Sequence, residues 1–321
     1  MNDDPRIGVL MSHVRAEEKQ LLAAFAKRGA EPVRLLDRHL AFELTAPDQP
    51  QLGPLDIVLD RAMAHGRAAV ALQCFDALGV RCINSSTASG IADDKVATTL
   101  TLSLAGVPNI RTYAAFDVES ALRVLDERVG YPAVIKPITG SWGRLLAKVN
   151  TPEAARAVLE HKKALGSFHH GVFYIQEYVE KPGRDLRIFV IDGQVIAGSY
   201  RTAEHWVTNV ARGAVSRPCP ITPEIEELAV RATGALGLEL AGVDLVESPD
   251  GLQVIEVNTG VEFKGLIRTT DIDIPGVIAD YVVRSARQER ASRGELVGAL
   301  NGNRPTQRQV LGQDGVVPHD D

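Results

Sequence analysis

The sequence predicts an α/β lobe followed by two α+β lobes, three lobes in all. Two observations lead there. Up to about residue 90, apolar strand-like runs alternate with helical stretches, the pattern of a parallel sheet with crossover helices. Beyond residue 107 the register changes to short strands. One apolar pair flanks Asp192-Gly193 as a hairpin would. A chain of 321 residues has length for two or three modest cores.

In the first lobe, expected at 1–90, strands are predicted at Arg6–Met11, 33–37 and 56–60. Helices are predicted over Glu17–Lys27 and about 67–78. A helix from about 91 to 105 follows, with Ser89 as a plausible cap. The central lobe, 107–180, is read as strands at Val107–Tyr113, Tyr131–Lys136, just after 143, and along FYIQEYV. Helices fall between them, near 116–130 and 152–164. The third lobe, 181–289, carries the hairpin DLRIFVIDGQVIAGSYR, a helix at 222–236, strands AGVDLVES and GLQVIEVN, and a last helix at about 274–288. From Arg290 the periodicity fades and Gly, Pro, Gln and Asn gather, so 290–321 is read as a flexible tail.

Composition narrows the classes of function. Hydrophobic residues make up 45% and charged residues 24%, an ordinary soluble balance. The formal charge of -6 argues against a general nucleic-acid binder, though a local basic cleft stays open. No apolar run reaches the ~20 residues of a membrane helix, so no membrane role is expected. The opening MNDDPRIGVLMSHV lacks the basic start and long apolar run of a signal peptide. Cys74, Cys82 and Cys219 are widely spaced, with no CxxC pair, which suits reduced thiols in the cytoplasm. Cys74 and Cys82 are expected to pack, and Cys219 to sit in an irregular, exposed segment.

Four stretches carry chemistry. Lys95, in DDKVATT, opens a helix, and Lys136 ends the strand YPAVIK. An ammonium at the end of a buried strand calls for an anion such as a phosphate, unless it snorkels to water as an ordinary strand-end lysine. PITGSWGR follows, with Gly140, Ser141 and Gly143. Its backbone N–H groups would cradle phosphate oxygens, or it is a plain hairpin loop. In QEYVEKPGRD, backbone groups near Gln176, Glu177 and Val179 would read an adenine edge, and Glu180 or Asp185 would accept from ribose hydroxyls. The plainer reading is a linker between lobes. Finally, VIEVN places Glu256 and Asn258 on one face of a strand while Ile255 and Val257 turn toward a core. Asp244, in GVDLVE, joins them if the two strands are antiparallel neighbours. Two carboxylates and an amide oxygen are hard ligands suited to Mg²⁺ rather than zinc. The competing reading is a wet sheet face with paired charges.

Taken in order, these stretches resemble the ATP-grasp ligases, and within them the RimK-like branch that includes LysX- and ArgX-type ligases. The resemblance covers roughly 1–289 and rests on Lys95, KPITGSWGR, QEYVEKPGRDLRIFV, TNVARGA and VIEVNTGVEFKG. It implies a three-lobed ATP-grasp fold and a carboxylate–amine ligase that uses ATP and Mg²⁺. Lys95 and Lys136 match phosphate-binding positions, with Gly140, Ser141, Gly143 and Arg144 in the covering loop. Gln176, Glu177 and Val179 match the adenine contacts, Asp185 the ribose contact, and Asp244, Glu256 and Asn258 the metal set. Arg187, Arg201, Asn209 and Arg212 fall where phosphate or acyl-phosphate contacts are expected, with Arg201 and Arg212 for transition-state charge.

The resemblance further implies two substrates. One is a small acidic amino-group carrier protein of LysW type, ending in glutamate. The other is an amino acid, 2-aminoadipate or alternatively glutamate (as in arginine biosynthesis), whose α-amine is joined to the carrier; a further alternative is a RimK-like glutamate ligase on another acceptor. Glu262 would hold the ammonium, and Lys264, Arg268, Thr269 and Thr270 would anchor carboxylates. A homodimer or homotetramer is implied by the same resemblance.

Overall fold

The computed structural model describes residues 4–45, 49–140, 144–165, 171–210 and 213–302, with side chains through 293. Ser141, Gly143 and Arg212, all expected in the site, lie outside the described residues.

In the first lobe, β1 (Ile7–Met11), α1 (Ala16–Ala26), β2 (Val33–Leu36), β3 (Ile57–Arg61), α2 (His65–Ala77) and β4 (Arg81–Ile83) form one unit. The four strands are parallel in the order β2-β1-β3-β4. Both sheet faces are covered. Val9 and Leu59 pack on one side with Phe25, while Leu10 and Val58 pack on the other with Leu72 and Phe75. That explains the unbroken apolar runs, since neighbours in a strand face opposite ways. The short β4 was not foreseen. The expected helix at 91–105 divides into α3 (Ser86–Asp93) and α4 (Lys95–Leu104). Ser89 is buried inside α3 and is not the cap. Ser85 accepts from the Ala88 amide, and Asp94 accepts from the amides of Val96 and Ala97. Asp94 thereby sets Lys95 as the first residue of α4.

The central lobe contains β5 (Thr112–Ala115), α5 (Val118–Val124), β6 (Ala133–Lys136), β7 (Ala147–Val149), α6 (Pro152–Ala164) and β8 (Phe173–Glu177). Its antiparallel sheet runs β5-β8-β6-β7. The first strand starts later than expected, at Thr112. The preceding stretch instead crosses to the third lobe, where Asn109 bridges Val254.

The third lobe supplies β9 (Arg184–Ile191), β10 (Gln194–Thr202), β11 (Val215–Pro218), α7 (Pro223–Ala235), β12 (Leu240–Ser248) and β13 (Gly251–Asn258). The five strands run β11-β10-β9-β12-β13 and pair antiparallel. The β9–β10 turn has φ of 52° at Asp192 and 69° at Gly193, the two positive values a tight two-residue hairpin needs. β11 was not foreseen. Cys219, just after it, is buried rather than exposed, correcting the expectation for that thiol.

The two faces of this sheet differ. Leu186, Ile188 and Val190 pack with α7, α3 and α4. Phe189 and Ile191 face the other way, into a core shared with β1, β3 and α1 of the first lobe. Asp185 and Arg187 share that second face but lie before Phe189, so the face changes from apolar to charged along one strand. The last helix, α8, runs Ile274–Gly302 and packs against α1, so the chain does not loosen at 290. Arg290 donates to the Asp4 carbonyl, and Arg293 to the carbonyls of Leu55 and Gly79. These contacts fix a segment whose sequence lacks a clear apolar stripe. No helix among the described residues is long and apolar enough to cross a membrane.

Candidate active site

The charged end of the third sheet is built by register. Glu256 stands opposite Asp244, Asp244 opposite Arg187, and Arg187 opposite Ser199. In the next row Asp185 faces Arg201. The strands carrying Asp244 and Glu256 are thus antiparallel neighbours, as the shared-face reading required. The pairing shifts between Asp244 and Leu245, leaving Ile255 as the extra residue of a bulge. Val257 is buried in the core, but Ile255 is turned into a cavity, which corrects the expectation for that side chain.

Charge is alternated tightly along these rows. Arg201 Nε lies 2.6 Å from Asp185 Oδ1, and its Nη2 3.0 Å from Asp244 Oδ2. Arg187 Nη2 donates to Asp244 Oδ2 at 3.1 Å. Arg187 Nε is 2.6 Å from Asp244 Oδ1, yet the buried Oδ1 accepts no aligned hydrogen bond. Burial works against the charge of Arg201, but Asp244 and Asp185 outweigh it and hold its pKa above the ordinary arginine value. Both Asp185 oxygens are engaged, one by Arg201 and the other by the Thr208 hydroxyl, to which Lys181 also donates. Asp185 thus anchors Arg201 while lining the smaller cavity. Gly242 leaves space for this arrangement. A Cβ on it would lie 2.7 Å from Arg187 Nη1, so its absence gives the guanidinium room.

Two lysines approach from the other lobes. Lys95 Nζ donates to Glu256 Oε1 at 2.9 Å and to the Gly140 carbonyl at 2.8 Å. Lys136 is buried, and its Nζ donates to the amide oxygen of Gln176 at 2.5 Å. Burial lowers its pKa to about 8, with Lys95 and Lys181 adding to the effect against Glu256 and Asp244. Lys136 is therefore a desolvated cation whose direct partner is neutral, the situation an incoming phosphate would relieve. Lys181, which sequence reading passed over, is also lowered by burial, with Asp185 opposing. Gln176 is committed beneath the site, since its Nε2 donates to Thr112.

These residues surround two adjoining cavities that share Lys95, Gly140, Arg201, Asn209, Asp244 and Glu256. The smaller, about 130 Å³, is walled by Ile110, Val134, Leu146, Val179 and Ile255, with Tyr178 and Trp206 edge to face at 6.3 Å. Arg144 and Glu177 also reach it. The larger, about 530 Å³, takes in Arg187, Asn258, Glu262 and Lys264 and extends to Arg15, Arg61 and His65 of the first lobe. Arg268, Thr269 and Thr270 do not line it. Thr269 instead donates to the Leu266 carbonyl, and Thr270 accepts from the Ile272 amide. Arg15, Arg61 and Lys181 were missed because nothing local marks them. The donor chemistry fits magnesium: Asp244 and Glu256 are carboxylates, and the buried Asp244 Oδ1 accepts no hydrogen bond. Asn258 lines the same cavity.

Comparison with known proteins agrees with this geometry. Residues 92–282 match the RimK-like ATP-grasp domain, and residues 7–91 match the LysX preATP-grasp domain. The chain therefore belongs to the RimK-like ATP-grasp family and is an ATP-dependent amino-acid ligase that uses ATP and Mg²⁺. It is 32% identical over 284 residues to the alpha-aminoadipate–LysW ligase LysX of Sulfurisphaera tokodaii, covering 88% of this chain and 98% of that one. It is 28% identical over 281 residues to the glutamate–LysW ligase ArgX of the same organism, covering 86% and 98%. Among solved structures, a RimK domain ATP-grasp protein from Sphaerobacter thermophilus superposes with a TM-score of 0.73 at 28% identity, covering 86% of this chain and 98% of that one.

Two outcomes follow from the geometry. Gly242→Ala should push the Arg187 guanidinium off Asp244 and lower kcat by about tenfold or more, roughly 1.4 kcal/mol in the barrier. The thermal midpoint should stay near wild type, because the added methyl meets a flexible side chain; an unchanged kcat would contradict the placement of Arg187. For Lys136 the sign is set by burial: the free enzyme loses the proton near pH 8, and a bound triphosphate restores it. ATP affinity measured by calorimetry should weaken as pH rises above about 8, with proton uptake on binding. Lys136→Met should abolish that uptake.

Proposed function

We propose that the chain joins the α-amino group of 2-aminoadipate to the C-terminal glutamate of a small acidic LysW-type carrier protein, through an acyl phosphate, in lysine biosynthesis. The observation that carries this reading is the junction of the two cavities. Lys95, Arg201, Asp244 and Glu256 border both, so a nucleotide's terminal phosphate in the smaller would meet substrates in the larger. The second cavity, at about 530 Å³, has room for a carrier tail and an amino acid.

The chemistry follows from the charges. A carboxylate resists attack by an amine because its carbonyl is resonance-stabilised and anionic. A carboxylate oxygen of the carrier attacks the γ-phosphorus of ATP, and ADP leaves. The amine then attacks the acyl carbon, and inorganic phosphate leaves with the C–O electron pair as the amide forms. Lys95, Lys136 and Arg201 are assigned to charge on the transferring phosphoryl group, together with Arg212. Asp244, Glu256 and Asn258 would hold magnesium, which would supply charge neutralisation there. Arg187 is assigned to the acyl phosphate, and Asn209 borders both cavities. Asp244 sits between two arginines, whose guanidiniums orient the buried carboxylate.

A second reading keeps glutamate as the amine. The ArgX relative supports it, as does a tetrahydromethanopterin:alpha-L-glutamate ligase of Methanococcus maripaludis, 37% identical over 202 residues. The two amines differ by one methylene, worth about 1–3 kcal/mol in a pocket. Incubating the enzyme with ATP, Mg²⁺ and a carrier ending in glutamate, with each amino acid supplied separately, decides between them by intact mass. A gain of one aminoadipate residue is expected; a gain of one glutamate residue instead selects the second reading. ATP turnover with no change in carrier mass would overturn both. Asp244→Asn should reduce product at least about a hundredfold, as loss of a transition-state charge contact does.

A further inference from the structure

On its first-lobe side, where Arg15, Arg61 and Glu262 line it, the large cavity adjoins a network that joins the first lobe to the 261–264 loop, just past Asn258. Glu17 is buried, and its Oε1 accepts from the amides of Phe263 and Lys264, both at 2.6 Å. Arg61 is buried too, donating from Nη1 to the Val261 carbonyl at 2.5 Å and from Nη2 to Glu18 Oε1 at 3.2 Å. Arg15 grips Glu18 with a two-pronged contact, Nε to Oε2 at 2.8 Å and Nη2 to Oε1 at 2.7 Å. Its remaining nitrogen, Nη1, reaches Glu262 Oε1 at 2.9 Å. Three backbone groups and one side chain of the loop are thus held by the start of α1 and the end of β3.

The charges say what this arrangement is for. Three carboxylates, Glu17, Glu18 and Glu262, face two guanidiniums, so one negative charge is in excess. The side chains of Glu17 and Glu18 are 5% and 0% exposed, while that of Glu262 is 33% exposed. Of the three carboxylates, Glu262 is the one that lines the cavity. Lys264, the next cation along, is exposed and takes part in none of these pairs. Charge-assisted contacts to buried backbone amides are among the strongest a protein makes, so the frame is stiff. The Glu18 carboxyl is held below its usual pKa by Arg15 and Arg61 against the opposing effect of burial, which keeps the frame charged.

We propose that Glu17, Glu18, Arg15 and Arg61 form a positioning frame, built on the first lobe, that fixes the 261–264 loop and presents the Glu262 carboxylate to the ammonium of the amino-acid substrate. It rests on the ligase reading above. These four are positioning residues: they act through Glu262 and the loop, and the phosphate end of the site does not depend on them.

Hydroxylamine separates the two halves of the reaction. Its nitrogen attacks the acyl phosphate, phosphate leaves, and the carrier hydroxamate forms without any amino acid. In Glu17→Ala and in the more exposed Arg15→Gln, hydroxamate formation should stay within about twofold of wild type. The KM for the amino acid should rise about tenfold or more, as expected for losing a charge-assisted contact. Glu17→Gln should recover most of that loss, because the amide oxygen still accepts from both N–H groups. Hydroxamate and amide formation falling together, or an unchanged amino-acid KM in Arg15→Gln, would overturn the frame. Absence of hydroxamate from the wild-type enzyme would overturn the ligase reading itself, and the frame with it.

Discussion

Everything in the site depends on a buried carboxylate, Asp244, held between Arg187 and Arg201 on a sheet face. Burying these charges singly would be prohibitive, and burying them as an alternating row is tolerable only if register is fixed. The sheet supplies that register. β9, β10 and β12 are locked by the tight turn at Asp192-Gly193 and by apolar packing of Leu186, Ile188 and Val190 on the opposite face. A slip of one residue would turn the charges into that core. The apolar side of the sheet therefore holds the polar side in place.

The same strand links lobes. β9 begins with Asp185 and Arg187 in the cleft and ends with Phe189 and Ile191 in the core shared with the first lobe. α8 packs against α1 in that core. The first and third lobes thus form one continuous body around the larger cavity. The central lobe adds Lys136 and the wall of the smaller cavity, and α4 adds Lys95, which bridges to Gly140 and Glu256.

Much of this was legible in the sequence, for a definable reason. Glu256 and Asn258 are two apart in an apolar strand, and period two alone puts them on one face. The Asp-Gly turn and the helices at 152–164 and 223–235 are local signals too. What escaped depends on distant partners. Arg15 meets Glu262 across 247 residues, and Arg61 meets the Val261 carbonyl across 200. Nothing near Arg15 or Arg61 in sequence distinguishes it from a surface arginine. The bulge at Ile255 was hidden because a bulge belongs to a pair of strands. The helical stretch beyond 288 was hidden because its order comes from tertiary contacts of Arg290 and Arg293, not from its own apolar stripe. Arg268, Thr269 and Thr270 show the converse: they are near the site in sequence but do not line its cavity.

The central claim is that a carrier carboxylate is activated by the γ-phosphoryl group of ATP. The most direct test labels the carboxylates of the carrier's C-terminal glutamate with heavy oxygen and follows the label through one turnover. An acyl phosphate requires one labelled oxygen to leave in inorganic phosphate, with ADP as the other nucleotide product. Unlabelled phosphate, or release of AMP and pyrophosphate, would contradict the account.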